Sequence, residues 1–392
     1  MSNDDSWRRT LTATERLSNI QSIEKSALLS GLLASAYNLE NDAFTSSASR
    51  EDYDAACRLL SAPQGSPSTD NRYLATSDGS VTDVADSSGK TIGTFENCRY
   101  LASGTSADVY RSGSFALKVC TIGHGCPPHN VYREAKILKQ LQQTKTCVVQ
   151  LLETFHDAQQ QLVLVFPYMP LTLQAVLCAD CEKIPRKRLQ GYFVDILNAL
   201  ARVHSQGIIH RDVKPSAVLL SSIDGPAYLS DFGTAWHPVL SKDDEPADNK
   251  VLDIGTGPYR APEVLFGNQA YNASVDMWAM GAMLAECARP APHKTLFESR
   301  AVHEDGNQLG LILSIFKTIG TPSRESWPEA ASFRTPPFDM YRVFEPQPWR
   351  FILPDVDEDL RDVVAALVKY NSTRLTAEET LIKMQNLSVE GT

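Results

Sequence analysis

The chain has 392 residues, 43% of them hydrophobic, enough for one large core or two ordinary ones. A formal net charge of −10 excludes a general nucleic-acid or membrane-surface binder, because surfaces that seek phosphate need a positive excess. No run approaches the roughly 18 apolar residues of a membrane span, and Met1 to Thr10 lack a secretory apolar region, so an intracellular protein is expected.

The eight cysteines are scattered without the dense spacing of a disulfide scaffold, and reduced thiols are expected. Cys178 and Cys181 form a CxxC, but no second pair supplies the further ligands of a closed zinc site. Ordinary thiols on a loop are the favoured reading.

In chain order, residues 1–44 read as an N-terminal extension. Leu17, Ile20, Leu28, Leu32 and Tyr37 predict one amphipathic helix there, opened by Thr12 and Glu15 as a capping box. Residues 45–93 read as a low-complexity, disordered linker. Ser, Asp, Thr and Gly dominate it, with Pro63 and Pro67, and its few apolar groups do not offset the entropy of ordering; a short helix near Asp52 to Leu60 is the exception.

Regular patterning begins at Thr94. Strand-like runs follow at Phe95 to Leu101, Val109 to Arg111, Phe115 to Val119, Val148 to His156 and Gln161 to Phe166, interrupted by a helix from His129 to Gln143. Beyond Pro185 the pattern becomes helical: Leu189, Tyr192, Phe193, Ile196, Leu197, Leu200 and Val203 hold one face at the 3.6-residue period. An α+β chain is expected, with a strand-rich small lobe over 94–169, a helix-rich large lobe over 170–386 and a tail over 387–392.

Several short motifs occupy these elements. Phe115-Ala-Leu-Lys118 lies in a strand, and Glu134 sits in the following helix. His210-Arg-Asp-Val-Lys-Pro215 is followed by Asp231-Phe-Gly233, then Thr256 and Tyr259-Arg-Ala-Pro-Glu263, then Asp276-Met-Trp-Ala-Met-Gly281, and Arg374 lies further on. In this order and over this length the set resembles the eukaryotic protein kinases, and the resemblance covers residues 94–386. It implies the two-lobed kinase fold, with a small antiparallel β lobe carrying one main helix and a large, mainly α-helical lobe.

The resemblance also assigns roles. Asp212 is the expected base that orients the substrate hydroxyl, supported by Lys214 and Thr256, and Asp231 is the expected Mg²⁺ ligand. Lys118 and Glu134 set the ATP phosphates. Leu101, Gly104, Val109, Ala116 and Leu219 line the nucleotide pocket. Phe166 is the gatekeeper, while the carbonyl of Pro167 with the amide and carbonyl of Met169 meet adenine; proline is tolerated there because only its carbonyl is needed.

Within the kinases, Pro128-His-Asn-Val-Tyr-Arg-Glu134 resembles the PSTAIRE-type helix that meets cyclins, and Gln308 to Pro322 resembles the insert of the cyclin-dependent kinase group. Gly255 to Phe266 looks most like the fungal single-subunit kinases that activate cyclin-dependent kinases. The implied function is an ATP- and Mg²⁺-dependent serine/threonine kinase of cyclin-dependent kinase type. Its implied protein substrate is the activation loop of another cyclin-dependent kinase, and its implied residence is the nucleus, the cytoplasm or both. No nucleic-acid or membrane partner is expected.

Three departures from the pattern leave alternatives open. Ala217 stands where the catalytic-loop Asn would hold a second Mg²⁺, and a methyl group cannot coordinate a hard cation. The glycine-rich loop, Leu101 to Val109, keeps only its middle glycine, Gly104. Between Thr234 and Thr256 the only hydroxyl side chain is Ser241, while Asp243, Asp244, Glu245, Asp248 and Asp253 make the segment acidic. A carboxylate, Asp248 or Asp253, is expected to neutralise Arg211 in place of a phosphate, against the plain reading of a solvated acidic loop. The alternatives are a pseudokinase scaffold and a kinase that requires a cyclin. Pro185-Arg-Lys-Arg188 reads either as an import patch or as the start of a surface helix.

Overall fold

The computed structural model describes residues 43, 47, 49–61, 89–104, 107–120, 127–142, 146–179, 183–299, 308–338 and 342–387. The helix expected over 11–39, Cys181 and the tail beyond Leu387 lie outside them. The chain divides into two compact units, Met1–Ala85 and Asp86–Thr392.

In the first unit, helix α1 (Arg50–Ser61) is capped by Ser49, whose hydroxyl accepts from the Asp52 amide at 3.2 Å. Tyr53 and Cys57, one turn apart, bury on one face with Ala43. The stretch read as a linker therefore carries a helix slightly longer than expected. It also ends early: strand β1 (Lys90–Ile92) precedes the expected start at Thr94, because Ile92 buries in the core of the sheet that follows.

The second unit opens with an antiparallel sheet in the order β1-β2-β3-β4-β6-β5. Its other strands are β2 (Phe95–Ser103), β3 (Ala107–Ser112), β4 (Phe115–Cys120), β5 (Glu153–His156) and β6 (Leu162–Pro167). Alternation sorts the faces. Leu117 and Val119 of β4 join Val163 and Val165 of β6 on one side, with Ile92 and Cys98. Cys120, Leu162 and Leu164 face the other side, where they meet Val131, Ala135, Leu138 and Leu141 of helix α2 (Val131–Leu141). Lys118, between Leu117 and Val119, is thereby turned toward α2.

Two boundaries differ from expectation. Helix α2 starts at Val131, not His129, because the Asn130 side chain caps it by accepting from the Arg133 amide at 2.9 Å. Val148 to Leu151 form no strand of the sheet, which the Leu152 amide joins by donating to Val165 at 2.8 Å; the amides of Val149 and Leu229 instead bond to Leu229 and Cys147 carbonyls across the lobes.

Beyond the short strand β7 (Leu171–Thr172) and helix α3 (Leu173–Ala179), helix α4 (Arg186–Ser205) buries all seven residues of the periodic face. Strands β8 (Val218–Leu220) and β9 (Ala227–Leu229) complete a small sheet with β7. Helix α5 (Ser274–Ala288) is buried all round from Val275 onward, the mark of a central helix. Helices α6 (Leu309–Ile319), α7 (Glu358–Leu367) and α8 (Ala377–Gln385) pack outside it. Gly281 of α5 has no side chain because α7 passes too close: a Cβ there would lie 2.7 Å from Leu367 Cβ and 2.8 Å from Val368 Cγ2.

The basic patch at the start of α4 is largely ion-paired. Arg186 pairs with Asp357 at 2.7 Å and with Asp359, and Arg188 pairs with Asp224 at 3.1 Å. Among the described residues, no helix is long and apolar enough to cross a membrane.

Candidate active site

Lys118 Nζ lies 2.8 and 2.9 Å from the two Glu134 carboxylate oxygens and 3.1 Å from Asp231 Oδ1. Strand β4, helix α2 and the segment after β9 thus meet at one ammonium. Burial alone would lower the Lys118 value, but the two carboxylates outweigh it and hold the lysine charged. In return Lys118 draws the Asp231 carboxyl down to about 2, so this acid stays ionised and half open to the cleft, with its side chain 50% exposed. Asp231 takes a positive φ of 61°, and the next side chain, Phe232, is fully buried edge-on against the His210 ring.

The catalytic loop is held from beneath. Asp276 of α5 accepts from the amides of His210 and Arg211, each at 2.8 Å, and from His204 at the same distance. Burial would raise the Asp276 carboxyl; the His204 and His210 contacts win and keep it below its ordinary value. This brace fixes Arg211 at a φ of 72° and presents Asp212 above it. Asp212 Oδ2 lies 2.5 Å from Lys214 Nζ, and Asp212 Oδ1 accepts from the Thr256 hydroxyl at 2.7 Å. Lys214 also donates to Thr256 at 2.8 Å, closing a three-residue ring. Glu263 and Arg374 form a buried bidentate pair at 2.6 and 2.8 Å.

Strand register places several of the expected pocket residues near Lys118. Val109 and Lys118 are directly opposed across β3 and β4, and Ala116 opposes Phe166 across β4 and β6. Leu101 lies at a register irregularity in β2 and is exposed. The turn after it is closed by the Gly104 amide, which donates to the Ala107 carbonyl at 2.8 Å. Thr105 and Ser106 of that turn lie outside the described residues. Leu219 sits in the middle of β8. At the end of β6 Pro167 has no N–H; just beyond it the Tyr168 amide donates to the Ser114 carbonyl at 2.8 Å, while the Met169 amide has no partner among the described residues.

A divalent metal fits at one position. Asp231 offers an ionised carboxylate, and a magnesium-like ion needs only one or two such groups because phosphate oxygens and water complete its shell. A second position does not fit: Ala217 is buried, and its carbonyl is already engaged by the amide and hydroxyl of Ser230, both at 2.9 Å. Among the described residues no group of three or more His, Cys, Asp or Glu side chains is placed to hold an ion by itself.

The activation segment corrects one expectation. A carboxylate does neutralise Arg211, but it is Glu245, at 2.5 and 3.1 Å, not Asp248 or Asp253. Asp248 is exposed and Asp253 pairs instead with Arg260 at 3.0 Å. Glu245 also meets Arg133 of α2 at 3.3 Å. Burial would raise its carboxyl, yet the hydrogen bonds and charge of Arg211 outweigh that and hold it below the ordinary value. Ser241 is fully buried, its hydroxyl accepting from Arg133 at 3.2 Å and from the His237 amide at 3.0 Å.

One side chain without a sequence signal lies beside this segment. A Cβ at Gly233 would make ordinary contacts, 3.5 Å from Asp231 Oδ1, 3.5 Å from Glu134 Oε2 and 3.7 Å from His129 Nδ1. The Asn130 amide donates to the Gly233 carbonyl at 2.9 Å, drawing the start of α2 onto this segment.

Residues 95–384 match the family model described as the protein kinase domain. The chain is similar to the serine/threonine-protein kinase csk1 of Schizosaccharomyces pombe, 32% identical over 290 residues, covering 70% of this chain and 88% of that protein. It is also similar to the serine/threonine-protein kinase CAK1 of Saccharomyces cerevisiae, 29% identical over 279 residues, covering 60% of this chain and 76% of that protein. With the lysine, the two acids and the braced loop gathered in one cleft, the chain belongs to the protein kinase family and is a serine/threonine protein kinase that uses ATP and a divalent metal.

Proposed function

We propose that this kinase phosphorylates the activation loop of a cyclin-dependent kinase, uses Mg²⁺, and works as a single chain in the nucleus, the cytoplasm or both. The substrate class rests on the resemblance of Gly255 to Phe266 to fungal single-subunit activating kinases. The observation that carries single-chain action is the set of internal contacts on α2. Lys118, Gly233 and Glu245 fasten Glu134, Asn130 and Arg133 respectively, and Gln140 adds a 3.0 Å bond to His237. A cyclin would have no displaced helix to push inward.

In this reading Asp212 accepts the hydrogen bond of the substrate hydroxyl, orients its oxygen toward the terminal phosphate and takes up its proton. Lys214, held by Asp212 and Thr256, neutralises the phosphoryl oxygens as charge moves onto them. Lys118 grips the nucleotide phosphates, and Glu134 keeps its ammonium in place. Mg²⁺, when bound, supplies charge neutralisation, and Asp231 would hold it.

Radiolabelled-phosphate transfer from the isolated chain to a cyclin-dependent kinase tests this. Wild type should label the activation-loop threonine, and Asp212→Asn should not. Labelling only by Ala217→Asn would favour a scaffold, and labelling only after a cyclin is added would favour the cyclin-requiring alternative. A target lacking that threonine but still labelled would refute the substrate class.

A further inference from the structure

The motifs give His129 no task, yet its ring lies beside Gly233 and within the field of the charged groups of the site. It precedes the cap residue of α2, and the Asn130–Gly233 bond fixes the backbone there. Around Gly233, His129 Nδ1 and one oxygen each of Asp231 and Glu134 all lie within 3.7 Å of the position a Cβ would take. Neither ring nitrogen has a hydrogen-bond partner among the described residues. The charges the ring feels come from β4, the catalytic loop and the segment after β9: Asp231, Lys118, Asp212 and Lys214. In a kinase two of these, Lys118 and Lys214, meet ATP phosphates, Asp231 holds the metal and Asp212 faces the substrate hydroxyl. Across the cleft Ala217 offers no side-chain ligand, which leaves the terminal phosphate with less cationic charge than usual.

We infer that His129 contacts the terminal phosphate of bound ATP, donating a ring N–H to an oxygen that a second metal ion would otherwise help neutralise. His129 is then a substrate-contacting residue specific to the triphosphate. It discriminates ATP from ADP, whose shorter chain does not reach the ring. No bond to His129 forms or breaks in the transfer.

Calorimetric titration with ADP and with a non-hydrolysable ATP analogue, both with Mg²⁺, tests the inference on wild type, His129→Ala, His129→Phe and His129→Gln. Loss of one hydrogen bond to a charged oxygen should weaken the triphosphate analogue about tenfold in the Ala and Phe variants. ADP affinity should stay within about twofold, and Gln, which keeps an N–H donor, should recover part of the difference. If the Ala variant does not fold, the ring-shaped Phe variant decides. Equal weakening of ADP and the analogue would make His129 a packing residue of α2, and unchanged affinity for both would remove it from the site. Either result overturns the inference while leaving kinase activity itself intact.

Discussion

The Arg211 guanidinium and the Glu245 carboxylate meet through two hydrogen bonds, 2.5 and 3.1 Å long, with both side chains at most 2% exposed. The arginine beside the catalytic aspartate is therefore matched by a charge the chain encodes, and the same carboxylate reaches Arg133 on α2. Removing it leaves two buried guanidinium groups without their counter-charge. Glu245→Gln should lower unfolding free energy by about 3 kcal/mol and reduce turnover, read by denaturant melts and phosphate transfer. Phosphatase treatment should leave wild-type activity unchanged. Loss of activity with a phosphate mapped to Ser241 would show that the segment relies on modification after all.

Acid should weaken this clasp in a definite direction. Glu245 is held below its ordinary value of 4.5 in the folded chain, so its contribution is complete above that value and is lost as pH falls through the folded one. The stability gap between wild type and Glu245→Gln should be constant from about pH 7 to about pH 5 and shrink below about pH 4. Urea melts across that range supply the measurement; a gap that widens in acid contradicts the assignment.

Thr256 links the expected base to its lysine, and its hydroxyl is the only described group joining both. Thr256→Ala should lower kcat on the order of tenfold to a hundredfold while KM for ATP moves little, because the hydroxyl positions Asp212 and Lys214 and stands apart from Lys118. Thr256→Ser, which retains the oxygen, should recover most of the rate. Steady-state kinetics with varied ATP separates the two effects.

The close passage of α5 and α7 gives a prediction for the fold alone. Gly281→Ala places a methyl group within 2.8 Å of Leu367 and Val368, and the cost of overpacking is about 1 to 3 kcal/mol. Chemical denaturation should show the loss. An unchanged midpoint would mean that the two helices separate easily.

Sequence disclosed most of this architecture because kinase chemistry is written in contiguous strings. The run from His210 to Pro215 fixes its own spacing, and the alternation around Lys118 tells which way the lysine faces. The partner of Arg211 was not legible. Five carboxylates compete in one irregular stretch, and the choice depends on a turn in which the Glu245 amide bonds to Ser241 at 2.7 Å and its carbonyl accepts from Trp236 at 2.9 Å. Only that turn directs one carboxylate inward. His129 was hidden for a similar reason: its place depends on contact with Gly233, more than a hundred residues away in the chain. Val148 to Leu151 misled through composition, since mostly apolar residues bridging two lobes look like a strand.

The stretch after β6 bears on how this molecule discriminates among small heterocycles. Proline at 167 removes one donor and Ser114 occupies the next, leaving the Met169 amide as the uncommitted one in Pro167, Tyr168 and Met169. Phe166, the residue before this proline, is directly opposed to Ala116 across β4 and β6. A flat competitive inhibitor can place only one acceptor on a backbone N–H of Pro167, Tyr168 and Met169, and a compound with two adjacent acceptors strands one of them.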